Sequence, residues 1–164
     1  MCIRDRATGK SHDPMFSERY VSSKIRYNQN GDTLDYVRYN KSFELHGKAR
    51  YFYESGGLLS FGEYKNGGNE GLWSFFHEDG TLKQRGLYKK AKEEGEHLFY
   101  HKNGSIKSKG VYNEGDRIGI WNFYHDNGVL EAKESYDSYG LNGEVIFYRP
   151  DSTLEKKAYY RDGE

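Results

Sequence analysis

The chain has 164 residues, 25 basic and 25 acidic side chains, and a mean hydropathy of −1.03. Zero net charge gives no general electrostatic pull toward nucleic acid or anionic lipid. A single cysteine excludes an internal disulfide framework, and no stretch approaches the roughly 18 apolar residues of a membrane-spanning helix.

So polar a composition would suit a disordered chain, but 16% of the residues are aromatic and they recur at fixed positions, which disorder does not require. Residues 1–21 lie outside that pattern. Polar and unpatterned, they read as a disordered leader with no signal-peptide apolar run near Met1, so the default localisation is cytoplasmic, or extracytoplasmic if a true N-terminus lies upstream.

From residue 22 to residue 164 a single β-repeat domain is expected. Its first unit, 22–46, is degenerate: Tyr27, Asn30-Gly31, Leu34 and Tyr39 fall in the order of the later units once one residue is inserted before Gly47. Five full units then open on Gly47, Gly71, Gly95, Gly119 and Gly143, spaced 24 residues apart. A fixed period of this length sets architecture before any single residue does, because each unit buries its apolar side against its neighbours.

Counting each glycine as offset zero, offsets four and five are aromatic in every unit: Tyr51-Phe52, Phe75-Phe76, Phe99-Tyr100, Phe123-Tyr124 and Phe147-Tyr148. Offset eleven is always Leu or Ile, and offset seventeen is always Tyr. Between them stand Ser55-Gly56, Asp79-Gly80, Asn103-Gly104, Asn127-Gly128 and a weaker Asp151-Ser152. Asn-Gly and Asp-Gly between apolar runs are strong hairpin signals. Each unit therefore reads as strand, tight turn, strand, with a longer return loop such as Lys65 to Glu70 leading to the next glycine. The fold class is all-β, an elongated array of antiparallel β-hairpins with about 12 short strands, running roughly 53 Å at 4.8 Å per strand.

A two-residue turn at offsets eight and nine would place residues whose offsets sum to seventeen opposite each other, on one face. The expected core face carries offsets two, four, eleven, fifteen and seventeen: Trp73, Phe75, Leu82, Gly86 and Tyr88 in the second full unit. Trp73 would lie across from Gly86, which leaves room for the indole. The opposite face is charged, as at Glu78, Lys83 and Arg85, and interrupted only by the offset-five ring. A three-residue turn with a glycine bulge would move the register by one. The core face then either packs on its own rings or is covered by another chain.

The pattern G-x-W-x-F-[FY]-x-x-[ND]-G-x-L-x-x-x-G-x-Y, as in Gly71 to Tyr88, resembles the MORN-repeat-variant family, which includes the YwqK-like antitoxin group. The resemblance covers Gly47 to Gly163 well and Ser22 to Leu45 weakly. Tryptophan at offset two is kept at Trp73 and Trp121 but replaced by Ala49, His97 and Val145, and the offset-fifteen glycine gives way to Glu134 and Ala158. What the resemblance implies is an extended β-hairpin array acting as a binding or scaffolding module, in some members holding a toxic partner.

No catalytic constellation can be assembled, and neither an enzyme activity nor a cofactor is expected. Histidines recur at offset six as His77, His101 and His125. Neighbours in that row stand about 9.5 Å apart, too far to share a zinc ion whose ligands each sit about 2.1 Å away. They read as a polar ladder, and no metal site is expected. Gly67 to Gly71 lacks the helix and the lysine-serine pair of a phosphate loop.

Partner-binding candidates are the offset-five rings Phe52, Phe76, Tyr100, Tyr124 and Tyr148, evenly spaced on the charged face as anchors for another chain. The same spacing would serve rings that stack as a structural ladder. Lys83, Arg85, Lys107 and Lys109 beside the row favour an acidic partner. The expected function is a non-enzymatic scaffold for protein-protein interaction, with antitoxin-like neutralisation of a toxin as its most specific form. The alternative is a peripheral membrane or cell-surface module that recognises lipid headgroups or glycans. A nucleic-acid partner is not expected, and the last strand, ending at Tyr160, invites edge-strand self-association. The sequence also stops inside a return loop, as a fragment of a longer array would.

Overall fold

Apart from one two-residue strand set to the side, consecutive strands among the described residues are neighbours in one sheet, so the sheet follows the sequence. The computed structural model describes Ile3–Arg4 and residues 22–161; the rest of the predicted leader and the last three residues lie outside the described part. The strands are β1 (Ile3–Arg4), β2 (Ser22–Tyr27), β3 (Thr33–Tyr39), β4 (Gly47–Phe52), β5 (Leu58–Lys65), β6 (Gly68–Phe76) and β7 (Leu82–Lys89). They continue as β8 (Lys92–Tyr100), β9 (Ile106–Asn113), β10 (Asp116–Tyr124), β11 (Leu130–Asp137), β12 (Gly140–Leu141), β13 (Gly143–Tyr148) and β14 (Leu154–Tyr160). All pairings are antiparallel, and the path runs β1 to β11, then β13 and β14, with the short β12 set against β11. The expected all-β hairpin array is therefore the fold. The sequence did not announce β1, which pairs with Arg26 and Ile25 of β2.

The Asx-Gly turns differ from the two-residue expectation. His77 N–H donates to the Thr81 carbonyl at 2.8 Å, and Gly80 N–H donates to the His77 carbonyl at 2.9 Å, enclosing three residues. Gly80 takes φ +85°, the left-handed position of a type I turn with a glycine bulge. The residue before it fixes the turn from within: Asp79 Oδ1 accepts from both the amide and the hydroxyl of Thr81. Those two bonds hold the Asp79 carboxyl below the usual carboxylate range.

A second bulge restores the expected register. Phe76 pairs with Leu82, but one step further in Phe75 pairs with Gln84, Trp73 with Gly86 and Gly71 with Tyr88. The sum-of-seventeen rule thus holds along most of the ladder and fails at the turn, which corrects the placement of offset eleven. Leu58, Leu82, Ile106, Leu130 and Leu154 do not join the core face. Each stands opposite the offset-five ring of its own hairpin.

The return loops are also tighter than expected. Asn66-Gly67, Lys90-Ala91 and Glu114-Gly115 are two-residue turns with both φ values positive, and the following strand begins three residues before the periodic glycine. Gly71, Gly95 and Gly119 consequently lie inside strands, at φ +70°, +69° and +65°, where the register with the preceding strand slips. In these three units the periodic glycine marks a strand bulge, whereas Gly47 and Gly143 open β4 and β13 as the sequence suggested.

The core face closes on its own rings. The Trp73 and Trp121 side chains are 2% and 0% exposed, and His97 and Val145 are fully buried with them. The indole of Trp73 lies over Gly62 of the preceding hairpin, where a Cβ would sit 2.2 Å from the ring, while the space at Gly86 is filled by His97 and that at Gly110 by Trp121. Each offset-two ring also reaches a backbone carbonyl ten residues back: Trp73 Nε1 to Glu63 at 3.0 Å, His97 Nε2 to Leu87 at 2.7 Å, and Trp121 Nε1 to Val111 at 3.2 Å. Edge-on tyrosines seal the rows, Tyr64 on Trp73 at 5.0 Å, Tyr88 on His97 at 5.3 Å and Tyr112 on Trp121 at 4.9 Å.

Candidate functional site

With one face occupied by its own aromatic ladder, the opposite face is what the array presents. Offset five alternates away from the core in every unit, so Phe52, Phe76, Tyr100, Tyr124 and Tyr148 do share that face. All five are half-buried. Each rests against the aliphatic side chain across its hairpin, so the row is a line of apolar pads and not a set of isolated rings.

What stands beside each pad is the offset-fourteen residue of the preceding unit. Phe61 stacks on Phe76 with ring centroids 5.9 Å apart, and Lys109 Nζ lies 5.9 Å from the centroid of the Tyr124 ring. The register makes this position continuous across the sheet. Arg85 pairs with Leu98, Leu98 with Lys109, Lys109 with Asn122, Asn122 with Lys133, Lys133 with Ile146 and Ile146 with Lys157. A cation therefore occurs at every second strand of one cross-strand row. Lys157 is paired with Glu144 at 3.1 Å, whereas Arg85, Lys109 and Lys133 enter none of the ion pairs among the described residues. Lys83 and Lys107, at the bulges, add charge beside the first two.

Of these cations, Lys83, Arg85, Lys107 and Lys109 were legible from the sequence as a local cluster. Lys133 and Lys157 extend them into a line that only the 24-residue offset reveals. An apolar band on the same face went unread: Leu72 and Leu87 pair directly and are 41% and 45% exposed, followed by Val111 and Ile120 at 40% and 46%.

Two of the three histidines in the row tie neighbouring hairpins together, while His77 Nε2 is buried without a hydrogen-bond partner. His101 Nε2 meets the Tyr124 carbonyl at 2.7 Å and His125 Nε2 meets that of Tyr148 at 2.8 Å, each through an Nε2–H; Tyr53 Oη makes the equivalent bond to Phe76 at 2.7 Å. Asn103 and Asn127 repeat the stitch two residues on, donating to the carbonyls of Asp126 and Pro150. Among the described residues no three His, Cys, Asp or Glu side chains converge as metal ligands would. Gly67 lies in a hairpin turn and Gly68 to Gly71 in β6, so the glycine-rich segment is spent on the sheet.

Near the amino-terminal end an open cleft of about 490 Å³ is lined by Tyr27, Asn28, Gln29, Asn30, Leu34 and Glu54. Burial pushes the Tyr88 phenol up to about 12, helped by the nearby Glu93 carboxylate, and burial lowers the His97 imidazole below its ordinary value. Both shifts belong to the packed face and expose no reactive group.

The family model described as MORN repeat variant matches four segments, residues 45–66, 69–90, 93–114 and 117–138. Together these make up more than half of the 164 residues. No curated protein matches the chain.

Proposed function

The chain belongs to the MORN repeat variant family, and from that premise we propose that it is a scaffold which captures a protein partner on the face bearing Phe52, Phe76, Tyr100, Tyr124 and Tyr148. Repeats of this type are non-enzymatic and commonly serve as protein- or membrane-binding scaffold modules. The observation that carries the proposal is the asymmetry of the sheet. One face is filled by its own interlocked rings, and the other offers a regular line of half-buried pads flanked by Arg85, Lys109 and Lys133, which enter no ion pair among the described residues. Periodic aromatic anchors beside uncompensated charge are what a partner surface needs for both affinity and orientation.

The most specific form of this reading is toxin neutralisation, as in the YwqK-like antitoxin group, with the toxin encoded by a neighbouring reading frame. Replacing Phe76, Tyr100 and Tyr124 together by serine is expected to abolish co-purification of that frame's product and rescue of growth by co-expression. Because each ring packs against Leu82, Ile106 or Leu130, a cooperative thermal melt of the triple variant must accompany the result. Undiminished capture would sink this surface.

The exposed band of Leu72, Leu87, Val111 and Ile120 supports a second reading, a peripheral module that lies on a membrane, since cations and aliphatics on one face suit an interfacial site. Flotation with vesicles containing anionic lipid tests it, and a chain that stays at the bottom of the gradient removes it.

A further inference from the structure

The cation row has a spacing, and the spacing selects a ligand. Arg85, Lys109 and Lys133 stand on β7, β9 and β11, directly in register through Leu98 and Asn122. Each stands two strand spacings from the next, which sets the repeat at about 9.5 Å across the sheet. Leu98 and Asn122 stand between successive cations, and two residues further along the same strands the pads of Tyr100 and Tyr124, backed by Ile106 and Leu130, flank the row on its turn side. The row is basic over this stretch: Lys83 and Lys107 flank it, with Glu131 at the corresponding place in the next unit.

An extended acidic ligand must match that repeat if more than one of its charges is to be used. A β-strand returns to the same side every two residues, about 6.6 Å, and falls out of step at once. An α-helix returns after about 5.4 Å, or about 10.8 Å for two turns, which accumulates a mismatch of about 2.6 Å over the three cations. A polyproline II helix has three residues per turn and rises about 3.1 Å per residue, so its turn is about 9.3 Å. Over the same three cations the mismatch is about 0.4 Å.

We propose that this face binds an acidic peptide in the polyproline II conformation, with a carboxylate at every third residue. The carboxylates meet Arg85, Lys109 and Lys133, and the intervening residues, proline among them, pass over Leu98 and Asn122 and rest against the flanking rings of Tyr100 and Tyr124. Aromatic-lined grooves are the usual receptors of this conformation because the ligand is already ordered before it docks. Seven residues, acid-x-x-acid-x-x-acid, span the site. The proposal rests on the scaffold reading above and gives its partner a chemistry.

The test is fluorescence anisotropy on the full chain with three labelled nonapeptides of identical composition, three glutamates and six prolines. Their glutamates fall at every second, every third or every fourth residue. The period-three peptide is expected to bind about tenfold tighter than either of the others, and K109E to remove that advantage while K102E, at the tip of the neighbouring turn, leaves it. Equal binding of the three peptides would reduce the row to unspecific charge and overturn the proposal. Equal effects of the two charge reversals would overturn it too, as would binding to phosphatidylserine vesicles with no peptide bound. If every peptide fails while the serine triple variant still loses its partner, the scaffold reading stands and only the ligand chemistry falls.

Discussion

At the residue scale the array is governed by one exchange of volume between neighbouring units. Offset fifteen of one unit and offset two of the next share a place in the core: Gly62 with Trp73, Gly86 with His97, and Gly110 with Trp121. In the first unit the exchange is reversed, small Ala49 following large Val37, and both are buried. Where Glu134 replaces the glycine, the next unit supplies Val145 in place of a ring, and Arg117 stacks at 4.4 Å over Trp121 and donates to Tyr136, which donates to Glu134. The departures from the repeat pattern are thus paired, and His97 is a substitute indole. It keeps the carbonyl bond but leaves Nδ1 buried without a partner. H97W is therefore expected to stabilise the chain by about 1–2 kcal/mol, through added apolar burial and removal of the orphaned nitrogen, whereas G86A should destabilise it by about 1–3 kcal/mol because its Cβ would strike the ring. Urea midpoints measure both. Burial lowers the folded-state pKa of His97 below 6.5, so its share of stability is present above the unfolded pKa and is lost as pH falls through the folded one. The gap between H97W and the wild type should accordingly widen between pH 7.5 and pH 5.5, and a constant gap would refute a buried neutral imidazole.

At the scale of the hairpin, the units have two turns of different chemistry, one bonded forward to the next unit and the other back to the preceding one. The Asx-Gly turn donates through His101, His125 and the asparagine side chains. The return turn donates through its second amide, Gly67 to Leu45, Ala91 to Asn69 and Gly115 to Glu93, at 2.8–3.0 Å. Two of these return turns end in glycine, but Ala91 holds φ +68° with a side chain that disfavours it. A91G keeps the bond, relieves the backbone and is expected to gain about 0.5–1 kcal/mol, read as a higher melting temperature; a loss would mean that the methyl group's packing near Gly68 outweighs the strain. The same turn shows why the sequence could be read only so far. Period, strand order and the ring-bearing core face follow from residues that repeat, and all were legible. Lys90-Ala91 carries no turn signature, so the return connection read as a loop. Gly71 looked like the start of a strand because a glycine in a mid-strand bulge and one before a strand are spelled alike. The bulge beside Lys83 moves Leu82 to the other face, and nothing in its spacing records that. The partner row was visible as rings, but its aliphatic backing and the line of Arg85, Lys109 and Lys133 needed the register.

At the scale of the whole molecule the described residues pack as a succession of contacts between consecutive hairpins. Stability is then close to a sum over units and their interfaces, and a unit can be removed if its neighbours still fit. Deleting residues 95–118 joins Glu94 to Gly119. Trp121 then falls where His97 was, over Gly86 and beside Tyr88, and the glycine bulge is kept. Deleting 95–117, one residue fewer, shifts the alternation by one and turns Trp121 toward the charged face. The first deletion is expected to unfold cooperatively in urea, with an m-value about a sixth lower in proportion to the surface lost, and the second to lose its cooperative transition. If both behave alike, interlocking of units does not hold the array together. The in-register deletion also removes Tyr100 and Lys109 and brings Arg85 and Lys133 to neighbouring places in the row, through Asn122. A ladder one step shorter should bind a peptide with two carboxylates three residues apart as well as one with three, because the 9.5 Å step between consecutive cations is a property of the repeat and not of any one unit.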